Sequence, residues 1–159
     1  MTKRLLLFVL ILLNLAIIFF FSHQDSVSSG QLSSALTSQI KVHTPHYTEK
    51  TQAQQKVVHT QIQYTVRGLA HGFLFFTLGI LMTLFGNTFS HRWYQYLTGN
   101  ILLGFFIALS DEIHQIFVPG RTFGWDDILY DSLGYLLGIA AAVVMICLSD
   151  IHKKRTETR

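Results

Sequence analysis

The sequence predicts an all-α membrane protein, in which a bundle of four transmembrane helices carries a partly helical loop on its outer face. Half of the 159 residues are hydrophobic and only 13% are charged, whereas soluble domains contain about 25% charged residues. A helix needs roughly 17–25 mainly apolar residues to span a bilayer. The segments that meet this requirement are residues 5–21, 69–86, 93–109 and 128–148. The chain length fits a single domain, residues 1–159.

The first apolar segment follows Lys3 and Arg4, as the hydrophobic part of a signal peptide would. It is longer than such a region, which has about 7–15 residues, and no small-residue cleavage site follows it in residues 22–25. We therefore expect a retained helix. The second segment carries His71 near its start and the fourth carries Asp131, while the third has polar residues in its first half.

Residues 22–66 form a long loop rich in Ser, Thr and Gln. An apolar residue at every fourth position is typical of a short amphipathic helix on a membrane surface, and the loop has such a run in Leu32, Leu36 and Ile40. Thr44 and Pro45 predict the start of a further helix, because Thr is a good N-cap and Pro suits the first helical position. This helix is predicted to run into the second span along an apolar stripe: Val58, Ile62, Val66 and Leu69. A solvated flexible linker is the alternative for the loop.

The distribution of basic residues predicts the orientation of the chain. With four spans, both termini share one side with the short turn at residues 87–92. That side contains Lys3, Arg4, Arg92, Lys153, Lys154, Arg155 and Arg159, so the positive-inside rule places both termini in the cytoplasm. Basic residues gathered at the chain ends do not indicate nucleic-acid binding. The single cysteine, Cys147, excludes an intrachain disulfide.

The candidate functional residues lie where apolar segments end on the predicted outer side. Ionisable residues at a membrane boundary are costly, so an ordered cluster of them indicates a functional site. Residues three or four apart share a helical face, and this spacing joins several members of the cluster. The candidate catalytic residues are His71, Asp111, Glu112, His114 and Asp131; the candidate substrate-binding residues here are Arg67, Gln115, Arg121 and Asp127.

Small residues continue the faces of these acids into the predicted spans. Asp127 and Asp131 share a face with Gly134, Gly138 and Ala142, and Glu112 shares one with Asn100, Gly104 and Ala108. Small residues let membrane helices approach closely. The acids should therefore face the interior of the bundle, where they need partners such as arginines and histidines.

Some of these residues also have a purely structural interpretation. Asp126 and Asp127 could cap a helix and complement its dipole, and Arg67 could anchor a helix at the membrane interface. Pro119 and Gly120 predict a turn without any ligand. Asp131 fits a capping role least, because it lies about one turn inside an apolar helix.

The motifs resemble the signature of VanZ-like membrane proteins. Those that carry the resemblance are Ser110-Asp111-Glu112-Ile113-His114-Gln115, Phe117-Val118-Pro119-Gly120-Arg121, Asp126-Asp127-Ile128-Leu129 and Asp131-Ser132-Leu133-Gly134. Arg67-Gly68-Leu69-Ala70-His71 is similar to the family's basic-x-x-Ala-His motif. Phe21-Ser22-His23-Gln24 fits its polar segment after the first span, which adds Ser22 and Gln24 to the candidate substrate-binding residues. The chain departs from the family at Gly72-Phe73-Leu74-Phe75, where many relatives have Phe-x-Glu-Tyr.

The resemblance implies a multi-pass protein of the bacterial plasma membrane, of the type named for resistance to teicoplanin, a lipoglycopeptide that targets cell-wall precursors. One hypothesis is an enzyme acting on a membrane lipid or lipid-linked cell-wall precursor. His71 or His114 would then be the general acid or base, and Arg67 or Arg121 would bind phosphate.

The carboxylates leave a divalent cation open as a cofactor, although no established metal-binding spacing is present. The alternatives to an enzyme are a non-catalytic protein that binds lipid or drug, and a small transporter component. The latter has little room for alternating access in four helices.

The predicted orientation can be tested with reporter fusions. A reporter placed after residue 159 should be active only as a cytoplasmic fusion, and one inserted within residues 40–60 only as an exterior fusion, because the basic residues favour that arrangement. An exterior C-terminus would contradict the prediction.

Overall fold

The computed structural model describes residues 2–24, 51–89, 92 and 94–157. The helices are α1 (Thr2–Ser22), α2 (Gln52–Asn87), α3 (Tyr94–Gln115) and α4 (Trp125–Glu157). Each is long and apolar enough to cross a membrane, and their most apolar windows have mean hydropathies of 2.9, 1.8, 1.2 and 2.2 in that order. The predicted all-α class and the four membrane helices are confirmed, so the chain is a multi-pass membrane protein.

Helix α2 extends well beyond the apolar segment that predicted it. It begins after Thr51, whose side chain accepts a hydrogen bond from the Gln54 amide while the Gln54 side chain accepts one from the Thr51 amide. This capping box satisfies two amide groups that would otherwise lack helical partners. The predicted continuity of α2 into the second span is confirmed, but its start at Thr44 is wrong, since the cap is Thr51. Thr44, Pro45 and the run from Leu32 to Ile40 lie outside the described residues.

Contacts between helices define two ends of the bundle. At one end, which we call the terminal end, the guanidinium of Arg4 donates to the Thr88 carbonyl at 2.5 Å and lies over the Phe89 ring. The start of α1 therefore meets the end of α2. At the opposite end, the site end, Ser22 contacts Asp111, so α1 and α3 finish side by side. Helix α4 runs parallel to α2 and ends on the terminal side.

Helices α2 and α4 make the most extensive helix contact in the described structure. A Cβ added to Gly134 would collide with the Gly72 carbonyl, and one added to Gly138 would collide with the Phe76 carbonyl. On the facing helix, Gly79 leaves room for the Tyr135 carbonyl. Glycine is thus required here for backbone-to-backbone contact. The predicted small-residue stripes are buried, including Gly104 and Ala108 on α3.

A chain of buried hydrogen bonds joins α4, α3 and α2 between the site end and the terminal end of the bundle. The Tyr135 hydroxyl donates to the Asn100 side-chain carbonyl at 2.7 Å, and the Asn100 amide donates to the Thr83 hydroxyl at 3.0 Å. Thr83 in turn donates to the Gly79 carbonyl. These bonds satisfy polar groups away from water, and they link three helices in one register.

Apolar side chains fill the remaining interior and also cover the outside. The core contains Phe75, Leu78, Ala108 and Ile139. Large apolar side chains on the outward faces of the helices are exposed, among them Leu6, Phe20, Phe106, Leu137 and Leu148. An exposed apolar surface of this extent suits a lipid environment and not water.

Gly134→Ala should destabilise the bundle, because the new methyl group meets the Gly72 carbonyl. We expect a loss of about 1–3 kcal/mol in the free energy of unfolding, measured by denaturation of the purified protein in detergent. Gly99→Ala is the matched control, since a Cβ there meets nothing within 4 Å, and it should leave stability unchanged or slightly raised. Equal effects of the two changes would contradict the close packing of α2 on α4.

Candidate functional site

The loop between α3 and α4 places Arg121 by means of a tight turn. The Arg121 amide donates to the Val118 carbonyl at 3.1 Å, and Gly120 has φ of 75°. Pro at the second position and a positive-φ Gly at the third define a type II turn. A side chain at position 120 would be strained in this conformation. The turn predicted at Pro119 and Gly120 is therefore present, and it determines where Arg121 lies. It directs Arg121 back into the bundle.

Asp111 is the centre of the polar cluster at the site end. Its Oδ2 atom accepts hydrogen bonds from the Ser22 hydroxyl at 2.7 Å and from the Gln115 amide at 2.9 Å. The Nδ1 atom of His71 lies 3.9 Å from the same oxygen. Helices α1, α2 and α3 therefore all contribute to the surroundings of this buried carboxylate.

Gln115 connects Asp111 to the loop arginine. Both Nε and Nη2 of Arg121 donate to the Gln115 Oε1 atom, the former at 3.2 Å. Burial, followed by the nearby charge of Arg67, lowers the pKa of the Arg121 guanidinium, and adjacent carboxylates oppose this shift. The group still carries its charge, because arginine is not deprotonated in proteins. Its Nη1 atom is buried without a hydrogen-bond partner within residues 2–24, 51–89, 92 and 94–157.

A second set of contacts closes the start of α4 against α2 and α3. The Gly124 amide donates to Glu112 at 2.5 Å, which attaches the loop to the buried Glu112 side chain. Arg67 pairs with Asp127 at 3.4 Å, and its guanidinium lies 5.2 Å from the centre of the Tyr64 ring. Asp127 thus forms a tertiary ion pair in addition to lying in the first turn of α4.

Three buried side chains from three different helices lie close together: His71, Asp111 and Asp131. One potential metal-ligand atom from each lies within 4.8 Å of the others, and all three residues are buried. Asp131 is 2% exposed, and its Oδ1 atom has no hydrogen-bond partner in the described part of the chain. A buried, unpaired carboxylate oxygen is costly.

His114 contacts aromatic rings in α1 and in the turn directly after it. Its ring stacks on Phe19 at a centroid distance of 4.7 Å, and its Nε2 atom lies 3.4 Å from Nδ1 of His23. It lines a groove of about 510 Å³ between α1 and α3, together with Asp111, Ser110 and a set of apolar residues: Leu15, Ile18, Phe19, Phe106 and Ile107. His114 therefore reaches the cluster from the α1 side, next to Asp111, whereas His71 reaches it from within.

The site end brings most of the predicted residues into one connected cluster. These are Ser22, Arg67, His71, Asp111, Glu112, Gln115, Arg121, Asp127 and Asp131. Gln24 is half-buried at the end of the first described segment, where its amide donates to the Phe21 carbonyl. Sequence reasoning missed Tyr64 and His23 as members of the site. Tyr64 could have been found from its spacing, since it lies three residues before Arg67 on the same helical face.

The departure from the family pattern after His71 serves helix packing. A Cβ at Gly72 would lie 3.1 Å from the Tyr130 carbonyl, and the Gly72 carbonyl occupies the space above Gly134. Leu74, at the position where the resemblance implies a Glu, packs against the hydrophobic core. This chain therefore uses the segment for apolar and backbone contacts.

A family model described as VanZ/LLP1 matches residues 6–147 of the chain. This range includes α2, α3, most of α1 and α4, and all the cluster residues. No curated protein and no solved structure matches the chain.

Removal of Arg67 should destabilise the site end, because Asp127 would lose its cation. For Arg67→Gln we expect a loss of about 1–3 kcal/mol in the free energy of unfolding, measured in detergent. The double change Arg67→Gln with Asp127→Asn should recover part of the loss, since it removes both charges. Lys56→Gln, on an exposed part of the same helix, is the control. Purely additive effects of the two changes would contradict the pairing.

Proposed function

The chain belongs to the VanZ/LLP1 family of membrane proteins, and on that basis we propose that it binds and chemically modifies the anionic headgroup of a membrane lipid or lipid-linked cell-wall precursor. The proposed location is the bacterial plasma membrane, with both termini in the cytoplasm and the site end facing outward, as the basic residues favour. Resistance to teicoplanin is the proposed phenotype.

The groove between α1 and α3 is the observation that carries this proposal. Its wall is apolar along Leu15, Ile18 and Ile107, and it ends at Asp111 and His114. A surface that changes from apolar to polar along one direction matches an amphiphile, whose chain contacts the wall and whose headgroup reaches the polar end. Its volume of about 510 Å³ is also within the range of roughly 300–1,000 Å³ that small-molecule sites occupy.

The arginines support an anionic headgroup. Arg121 has a buried Nη1 atom without a hydrogen-bond partner among the described residues, and a guanidinium group prefers oxyanions in bidentate geometry. Arg67 is close enough to Arg121 for the two charges to interact unfavourably. An anion bound between or beside them would relieve that repulsion.

His114 is the proposed general acid or base. It lines the groove and is half-buried, so a bound headgroup can reach its ring. Histidine changes protonation near neutral pH, which suits proton transfer under working conditions. The adjacent ring of His23 can share a proton with it across 3.4 Å. His71, by contrast, is enclosed by the bundle and faces Asp111.

Binding without turnover is the second candidate function. The Asp111 Oδ2 atom already accepts hydrogen bonds from Ser22 and Gln115, and such a preorganised carboxylate also suits recognition alone. A lipid-binding protein would then withhold the target from the antibiotic, and a drug-binding protein would withhold the antibiotic from its target. The two candidates differ in whether the lipid itself is altered.

The test is teicoplanin resistance in a sensitive bacterium that expresses the chain. His114→Ala and Asp131→Asn should each reduce the inhibitory concentration to that of cells without the protein, because the first removes the proposed acid or base and the second removes an ionisable group with little change in volume. His152→Ala, exposed on the terminal part of α4, should retain full resistance. Membrane fractions must contain equal amounts of each variant.

Mass spectrometry of extracted lipids separates the two candidates. An enzyme predicts a lipid product that appears with the natural chain and His152→Ala but not with His114→Ala. A binding protein predicts no new product and a graded loss of resistance. If His114→Ala and Asp131→Asn both insert normally and keep full resistance, the site is structural and the proposed function fails.

A further inference from the structure

The meeting point of His71, Asp111 and Asp131 has the geometry of a metal site. One nitrogen and two carboxylate oxygens, each from a different helix, lie within 4.8 Å of one another. With metal–ligand bonds of about 2.0–2.2 Å, three ligand atoms spread evenly around one ion are roughly 3.5–3.8 Å apart. Side-chain shifts of less than about 1 Å would therefore bring all three atoms onto a single ion.

Asp131 supplies an independent indication that something is bound there. It is 98% buried, its relative exposure being 2%, and its Oδ1 atom has no hydrogen-bond partner in the described segments. A carboxylate in such surroundings requires a cation or a proton. The potential ligand atoms of His71 and Asp111 lie beside it, so a cation held by Asp131 would have two further ligands.

The charges of the cluster leave a surplus that a divalent ion would neutralise. Buried acids at the site end are Asp111, Glu112, Asp127 and Asp131. Within the described residues, the guanidinium groups that face them are those of Arg67 and Arg121. Two negative charges therefore remain when all four acids are ionised and His71 is neutral, which are the forms that bind metals.

We propose that His71, Asp111 and Asp131 bind one divalent transition-metal ion, with Zn²⁺ or Mn²⁺ as the class of ion. One imidazole with two carboxylates is a donor set of intermediate hardness, which suits these ions better than Cu(I) or Ca²⁺. Ser22 and Gln115 donate to Asp111 and so hold the ligand in place, as the partners of metal-binding carboxylates do.

The ion would also complete the site for an anionic headgroup. A headgroup oxygen at the polar end of the groove would contact Asp111, one of the three proposed ligands, while Arg121 contacts the same cluster through Gln115. This use of the ion at the headgroup rests on the proposed function. The binding of the ion does not, because it depends only on the three ligands.

The test measures metal binding by the full-length purified chain in lipid nanodiscs. The protein is stripped with a chelator and titrated separately with Zn²⁺ and Mn²⁺, and bound metal is counted by mass spectrometry and calorimetry. We expect about one ion per chain. Asp131→Asn and His71→Gln should each weaken affinity at least about tenfold, since each removes a ligand. Asp150→Asn, exposed on the terminal part of α4, should bind as the natural chain does.

Two further measurements distinguish the loss of a metal ligand from misfolding of a variant. Ser22→Ala leaves all three ligands in place and should bind one ion with moderately weaker affinity. Co²⁺ added to the natural chain should give visible absorption bands of a nitrogen- and oxygen-ligated ion, absent in folded Asp131→Asn. Failure of the stripped chain to bind either metal at micromolar concentration overturns the proposal. Unchanged affinity in folded Asp131→Asn also overturns it, and indicates that a protonated Asp131 accounts for the burial.

The outcomes distinguish this proposal from the proposed function. If His114→Ala abolishes resistance while the natural chain binds no metal, the headgroup site stands and the metal site fails. If one ion binds as expected while His114→Ala and Asp131→Asn both retain full resistance, the metal site stands and the proposed function fails.

Discussion

The close contact between the backbones of α2 and α4 is the constraint on which the site depends. The Gly72 carbonyl occupies the space that a side chain at position 134 would need. His71 precedes Gly72 directly, and Asp131 lies one turn before Gly134, so the same contact determines how far apart these two side chains are. A wider helix separation would move His71 and Asp131 away from each other. The packing of small residues and the geometry of the polar cluster are therefore one property of the fold.

Buried charge is maintained at the site end by a network in which the acids have different partners. Asp127 has the Arg67 cation, Glu112 has a backbone amide, and Asp111 has a hydroxyl and an amide. Apart from the hydrogen bond from Gln115 to Asp111 within α3, these contacts cross between elements of the chain, so the network also closes the loop over the end of the bundle. Removal of one partner leaves a charge in a region of low dielectric constant, which costs more than the lost contact alone.

Much of the fold and part of the site were predictable from the sequence, for reasons that lie in helical periodicity. Spans follow from segment length and hydropathy, and the burial of Gly134, Gly138 and Ala108 follows from their spacing behind the acids. The position of His114 was not predictable, because its neighbours Phe19 and His23 lie in α1 and in the turn directly after it. Spacing along α3 gives the face on which a side chain lies, but not the helix that covers it.

The start of α2 was misjudged because Thr51 with Gln54 and Thr44 with Pro45 are both good capping signals, and local sequence does not rank them. Tertiary packing brings His71 and Asp131 together, so the distance between these two side chains cannot be derived from residue spacing along the chain.

The groove between α1 and α3 lies beside exposed apolar side chains, including Phe19 and Phe106. A membrane lipid of the kind proposed above would reach the groove by diffusion in two dimensions within the leaflet, without crossing the aqueous phase. Occupancy would then follow the mole fraction of the molecule in the membrane, and not its concentration in water. A soluble headgroup without its chain would lack the partitioning that concentrates the intact molecule at the groove. It would therefore compete weakly even if it made every polar contact.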